Sequence, residues 1–283
     1  LFTIGVFPNI HKEDADLVLK RIVEFYATKK VKLLLPQKAA DELGYPELGT
    51  ENLLDEKISI GLTIGGDGTL LNACRKVADR NIPVCGINIG RLGFLADIEL
   101  TELENKLDKI LKNDYRIEER LMIAAIIKRE DAMTYVGSAI NDIVVTKSGF
   151  ARMLTLGLSI DDYLVANYQA DGLIVSTSTG STGYSLSAGG PIINPSLKLL
   201  LVTPICPHTL NARPMIISQN EEVRINIDAS HTDIVLTFDG QDSYHLLPGD
   251  EVVVRKSPLV AKIIKFEDKN YYHTMRTKLW KGN

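Results

Sequence analysis

Several things are absent from this chain of 283 residues, and each absence removes a class of protein. No apolar run approaches the roughly 18 residues needed to cross a bilayer, and the N-terminus lacks the basic-then-apolar pattern of a secretory signal. A cytoplasmic protein with no membrane partner is therefore expected. Only three cysteines occur, Cys74, Cys85 and Cys206, widely spaced among apolar neighbours, so buried reduced thiols are expected rather than a disulfide or a zinc site. The five histidines have no metal-ligand spacing, and no metal-ligating residues are assigned. There is no Gly-Lys dipeptide and so no Walker A loop, no Gly-x-Gly-x-x-Gly dinucleotide fingerprint, and no Gly-x-Ser-x-Gly nucleophile elbow. A net charge of -4 gives no electrostatic case for a nucleic-acid partner.

What is present is a soluble-type composition, 45% hydrophobic and 24% charged, long enough for two modest domains. Up to residue 118, short apolar runs alternate with helical patterns. Phe2 to Phe7, Val31 to Leu35, Ile58 to Ile64 and Val84 to Ile89 read as strands. Asp14 to Thr28 places Val18, Ile22, Phe25 and Tyr26 on one helix face, and the run from Leu70 does the same with Leu71, Cys74, Val77 and Ala78. Thr101 and Glu104 fit a capping box opening a further helix. This alternation predicts a Rossmann-like α/β domain over residues 1–118. From 119 to 266 the pattern is strand after strand, among them Met122 to Ile127, Thr134 to Thr146, Met153 to Ile160, Tyr163 to Tyr168, Leu173 to Ser176, Val223 to Ile227, Ile234 to Phe238, Glu251 to Arg255 and Val260 to Phe266. That predicts a β-sandwich. Residues 267–283, with a helical pattern from Tyr271 to Trp280, are expected to pack back on the first domain.

Three motifs carry chemistry. Gly65-Gly66-Asp67-Gly68-Thr69 lies where a strand ends and a helix opens. Glycines there let backbone N–H groups approach a phosphate, and the helix start adds partial positive charge. A plain tight turn needs fewer glycines, and a bare phosphate cradle has no use for Asp67, so the carboxylate points to chemistry or a metal as well as grip. Asn141-Asp142 sits in an otherwise apolar stretch, where a carboxamide and a carboxylate are costly to bury unpaired. Successive strand side chains point to opposite faces, so at least one of the two marks a strand end or a pocket wall. Thr177 to Ser187, rich in Ser, Thr and Gly between apolar flanks, reads as a functional loop rather than a linker, and Ser178 to Pro191 offers small residues, hydroxyls and one tyrosine, suited to a sugar, a phosphate and the face of a base. Asp171-Gly172 and Asp239-Gly240-Gln241 read, taken singly, as turns.

In this order the motifs resemble the NAD kinase (ATP-NAD kinase) family. The glycine cluster alone is shared with lipid kinases of the diacylglycerol type and, loosely, with phosphofructokinases. The discriminating stretches are Asp171 to Thr177 and Thr182-Gly183-Tyr184-Ser185-Leu186-Ser187-Ala188-Gly189-Gly190-Pro191. Ile205 to Leu210, Asn141-Asp142 and Asp239-Gly240-Gln241 add to them, and the resemblance runs from about Ile4 to Phe266. It implies phosphorylation of the 2′-hydroxyl on the adenosine ribose of NAD, with ATP or polyphosphate as donor and a divalent cation, Mg2+, as cofactor. Asp67 would then take or orient the hydroxyl's proton while Gly65, Gly66, Gly68 and Thr69 hold phosphates. Asn141 and Asp142 would hold a ribose and the nicotinamide end, and Asp171 other polar groups of NAD. Thr182, Gly183, Tyr184, Ser185 and Ser187 would enclose adenine and ribose. Arg152, Gly68 and Gln241 match further NAD-contacting positions.

The chain departs from many family members at Gln169, where they carry Arg, at Ser178 for Pro, Gly183 for Ala and Asp142 for Glu. Gln169 removes a positive charge near the dinucleotide, which bears on affinity for NADP more than on turnover. The resemblance also implies a homo-oligomer, a dimer or tetramer. Three rivals are weaker: a lipid kinase leaves Thr182 to Pro191 unexplained, a non-catalytic NAD sensor has no need of Asp67, and a dehydrogenase lacks the fingerprint after the first strand.

Overall fold

The computed structural model describes residues 2–90, 93–149, 152–267 and 270–279. The chain divides into two compact units, one of Leu1–Glu119 with Ala261–Asn283, the other of Arg120–Val260. The return to the first unit falls at Ala261, inside a strand, rather than after residue 266.

In the first unit the order is β1 (Phe2–Pro8), α1 (Ala15–Tyr26), β2 (Val31–Pro36), α2 (Gln37–Glu42), β3 (Gly49–Thr50), β4 (Ile60–Gly65), α3 (Asp67–Val77), β5 (Val84–Asn88) and α4 (Leu103–Leu111). The strands pair in parallel in the order β5-β4-β1-β2-β3, which gives the predicted Rossmann-like sheet. Helix α1 buries Ala15, Val18, Leu19, Ile22 and Tyr26, a single stripe at helical spacing. The stripe joins Ile4, Val6, Ile60, Leu62, Ile64, Cys85 and Ile87 in one core. The capping box is not formed. A 3-10 turn at Leu100–Glu102 leads into α4 instead, and Glu102 stands at the N-cap with no side-chain cap, because the tighter turn takes up the residues the box would use.

The second unit runs β6 (Arg116–Arg129), β7 (Ala132–Ala139), β8 (Asp142–Lys147), β9 (Leu154–Ile160), β10 (Tyr163–Ala170), β11 (Gly172–Thr177), α5 (Tyr184–Ser187), β12 (Leu199–Ile205), β13 (Met215–Ser218), β14 (Val223–Asp228), β15 (Ile234–Phe238), β16 (Asp242–Leu246) and β17 (Glu251–Lys265). One antiparallel sheet follows the order β10-β9-β14-β17, with the β6-β7 hairpin alongside. The other is β13-β12-β11-β8-β15-β16. The period-2 burial of β9 shows how they pack: Leu154, Leu156, Leu158 and Ile160 are buried and the residues between them are not. These side chains share a core with Val145, Leu173, Val175 and Leu200 from the second sheet, as a β-sandwich requires. The run expected as one strand from Thr134 to Thr146 breaks at Ile140-Asn141 into β7 and β8.

Strand β17 returns to the first unit from Ala261, where Ile263 pairs in parallel with Val84 of β5, and Ile264 and Phe266 join that unit's core. The last described element, α6 (Tyr271–Leu279), has no buried residue and places Lys278 Nζ 4.4 Å from the ring centre of Phe94. Trp280, expected in this helix, lies outside the described residues. One expectation about the thiols is corrected: Cys74 and Cys85 are buried, but Cys206 is exposed, since the chain turns there at a positive φ on leaving β12.

Candidate functional site

In the first unit, β4 delivers Gly65 buried at its last position, and Asp67 opens α3. Gly66 is the N-cap and has no side chain with which to cap the first turn, and its carbonyl accepts the N–H groups of Thr69 and Leu70. Gly68 is exposed and Thr69 half-buried. The Asp67 carboxylate faces the segment after β5. Its Oδ2 accepts the N–H of Phe94 at 2.6 Å, and Oδ1 those of Leu95 at 3.1 Å and Ala96 at 3.0 Å. Gly93 lies against this carboxylate so closely that a Cβ there would overlap it. Three successive amides thus fix both oxygens of the one acidic group in the loop.

In the second unit, Asn141 forms the bend before β8 and Asp142 is its first residue. The Asp239 carboxylate reaches back over this corner and accepts the N–H groups of Ile140, Asn141 and Asp142 at 2.7 to 3.2 Å. From the other side Thr177 Oγ1 donates to the Ile140 carbonyl at 2.6 Å and accepts the N–H of Thr179 and of Gly180. Gly180 packs directly on the Asn141 carbonyl, where any Cβ would overlap it. The hydroxyl-rich run is therefore no linker. It folds as a 3-10 turn at Thr179–Thr182 and the single turn α5, pressed on the Asn141 corner. Asn141 Oδ1 is buried without a hydrogen-bond partner, the state of an acceptor awaiting a ligand donor.

Asp142 is 5% exposed, and burial together with the neighbouring Asp239 pushes its carboxyl up to about 7, against the backbone N–H of Tyr184. Tyr184 itself is 45% exposed. Burial, with Cys206, Asp171 and Asp142 nearby, raises its phenol above the ordinary value. Asp171 pairs with Lys147 at 3.0 Å. The structure thus brings Asn141, Asp142, Gly183 and Tyr184 together, with Asp171 near the ring.

The other expected residues are placed less directly. Thr182 is half-buried and its hydroxyl donates to the Thr179 carbonyl, while Ser187 is exposed. Ser185 is fully buried with its hydroxyl 2.8 Å from that of Thr203, so here it fastens α5 to β12 rather than lining a surface. Gln169 is exposed on β10, and Gln241 is exposed in the turn after β15. Arg152 is exposed, and its carbonyl oxygen lies 2.8 Å from His231 Nε2. A cavity of about 500 Å³ lies along α1 from Asp14 to Glu24 and against Leu100, and none of the expected residues lines it. The sequence placed Asp239 in a turn and Thr177 in the hydroxyl run without indicating that they hold the Asn141 corner, and it gave no role to Gly93 and the three amides after it. For Asp239 the signal was its aspartate-glycine pair. For Gly93 it was a second glycine cluster after the β5 strand, Gly90 and Gly93.

A glycine-rich strand-to-helix turn on a parallel sheet and a hydroxyl-rich loop packed on a β-sandwich are the parts of a two-domain phosphotransferase. The profile of the ATP-NAD kinase N-terminal domain matches residues 5–115 and that of the ATP-NAD kinase C-terminal domain residues 140–266. The NAD kinase of Moorella thermoacetica is 44% identical over 99% of this chain and 89% of its own length. That of Heliobacterium modesticaldum is 41% identical over 99% of both. The chain belongs to the ATP-NAD kinase family, whose reaction is the phosphorylation of NAD. Two solved structures share the fold. Yeast NADH kinase complexed with NADH has a TM-score of 0.90 at 24% identity, covering 100% of this chain and 88% of that one. An Archaeoglobus fulgidus NAD kinase in complex with ATP has 0.76 at 24%, covering 98% of each.

Proposed function

We propose that the chain transfers a phosphoryl group from ATP to the 2′-hydroxyl on the adenosine ribose of NAD, giving NADP and ADP. The observation that carries this reading is the Asn141-Asp142 corner, where Asp239 and Thr177 fix the backbone while Asn141 Oδ1 is left without a partner. A corner built so firmly around an unused acceptor suits a ligand rich in hydroxyl and amide donors, as a dinucleotide is. In this reading Asn141 and Asp142 hold a ribose and the nicotinamide end, Tyr184 lies on a base, Asp171, Thr182, Gly183 and Ser187 complete the surround, and Gly65, Gly66, Gly68 and Thr69 receive phosphate. Arg152, Gln169 and Gln241 stand at its margin.

In the reaction the ribose 2′-oxygen forms a bond to the γ-phosphorus, the bond to the β,γ-bridging oxygen breaks, and its electron pair leaves with ADP. The hydroxyl proton passes to the Asp67 carboxylate. An aspartate, with a reference pKa of ~3.9, is a weak base for an alcohol, but phosphoryl transfer relies on positioning and charge stabilisation. Among the described residues no three His, Cys, Asp or Glu side chains converge as a metal cage. In this reading a divalent cation is part of the substrate, carried by the triphosphate.

Polyphosphate as a second donor, a cytoplasmic location and assembly into a dimer or tetramer belong to the same reading. Exposed Tyr163, Leu164 and Val165 on β10 support self-association. No described helix is long and apolar enough to cross a membrane. Purified protein given NAD, ATP and magnesium should yield NADP, and Asp67→Asn should abolish turnover while NAD still binds. Absence of NADP with both ATP and polyphosphate refutes the assignment, and near-full turnover by Asp67→Asn refutes the role of that residue.

A further inference from the structure

The segment from Phe94 to Asp97 is held from two sides. On one side the Asp67 carboxylate takes its three amides. On the other, Lys265 Nζ donates to the Leu95 carbonyl at 2.8 Å and to Asp97 Oδ1 at 3.1 Å, while Asp97 Oδ2 accepts the N–H of Phe266 at 3.0 Å. Lys265 is 8% exposed and Asp97 4%. The segment also leans on β5, where Asp97 and Ile98 both donate N–H to the Gly86 carbonyl, and a Cβ at Gly86 would come 2.9 Å from Ala96. The Leu95 peptide is thus pinned twice, its N–H by Asp67 and its carbonyl by Lys265.

A buried ion pair adds little net stability, since desolvation offsets most of the attraction. What this pair does is select one path for the backbone, and along that path the amides of Phe94, Leu95 and Ala96 converge on a single carboxylate. We propose that Lys265 and Asp97 are positioning residues for phosphoryl transfer: through the Leu95 carbonyl they hold the three-amide cradle that aims the Asp67 carboxylate. Neither touches substrate. The proposal rests on the reading of Asp67 as the group that meets the acceptor hydroxyl.

The test compares Lys265→Met, Lys265→Arg and the double variant Lys265→Met/Asp97→Asn with wild type, by amide hydrogen exchange and by steady-state kinetics. In Lys265→Met the amides of residues 94–96 should exchange about tenfold faster or more. Its kcat should fall by about 100-fold, the scale for a misplaced reacting group, and its KM for NAD should stay near wild type. Lys265→Arg keeps the charge and the donors and should restore both readouts. The double variant removes the uncompensated buried charge, so it should regain thermal stability without regaining kcat. Wild-type exchange at 94–96 in the double variant overturns the clamp. Recovery of kcat together with stability overturns the positioning role, as does wild-type kcat despite faster exchange. If wild type makes no NADP, the activity assignment fails, and the exchange measurement alone still decides whether the clamp exists.

Discussion

Asp142 combines deep burial with a carboxyl raised from its ordinary 3.8 to about 7, first by desolvation and then by Asp239. Two outcomes follow from the sign of that shift. With Asp142 holding NAD as proposed, its carboxylate is the accepting form, so kcat/KM for NAD should fall as pH drops through about 7, and Asp142→Asn should flatten that limb of the pH profile. For stability, a raised folded-state value favours the protonated form. The contribution is full below the unfolded value of 3.8 and is lost as pH rises through about 7. Asp142→Asn should therefore melt higher than wild type at pH 8, by an amount on the order of a few kcal/mol, with the difference vanishing below pH 4. Thermal melts across that range check it. Gln169 allows a second test at this scale. Replacing Gln169 by Arg on this exposed β10 position should tighten product inhibition by NADP no more than about fivefold, the limit for an exposed charge. Unchanged NADP affinity would show that the position lies away from the dinucleotide.

Among elements, the β8 corner is held by the Asp239 carboxylate on one side and by the Thr177 hydroxyl on the other. Thr177→Val strips a donor from the Ile140 carbonyl and an acceptor from the amides of Thr179 and Gly180. The groups left unsatisfied should cost about 1–3 kcal/mol and weaken NAD binding, read as a lower Tm and a larger Kd by calorimetry. The sequence already displayed much of this architecture where periodicity was strong: the parallel strands, the α1 and α3 faces and the alternation in β9. It hid β12, because Pro204 interrupts Leu199–Ile205. That proline lies beyond Met215, the last residue of β13 to pair with β12, so the strand has a neighbour on one side only at that point and tolerates a missing N–H. The glycine cluster, the Asn141-Asp142 pair and the hydroxyl run were legible as motifs. Their wiring was not, because Asp239 and Thr177 act through backbone groups of residues distant in sequence, and such bonds leave no local pattern. The link from Asp67 to Phe94, Leu95 and Ala96 was hidden for the same reason.

In the whole molecule the two units have separate cores, but only the second is made from one continuous stretch of chain. The first takes Ile263, Ile264 and Phe266 from the far end. Losing buried side chains of this size costs several kcal/mol each against a total of ~5–15. A chain stopped at Val260 should therefore keep the second unit protected in hydrogen exchange and leave the first without protection. Protection throughout β1, β4 and β5 in that truncated chain would contradict this. A ribosome releases the first strands of the first unit before the second unit and the residues that complete its sheet after it. At ~5–20 residues per second the open edge of β5 waits for a time on the order of ten seconds. Lys265 emerges after the whole of the second unit, so the contacts that hold the Leu95 carbonyl beside Asp67 form only once that unit has been made.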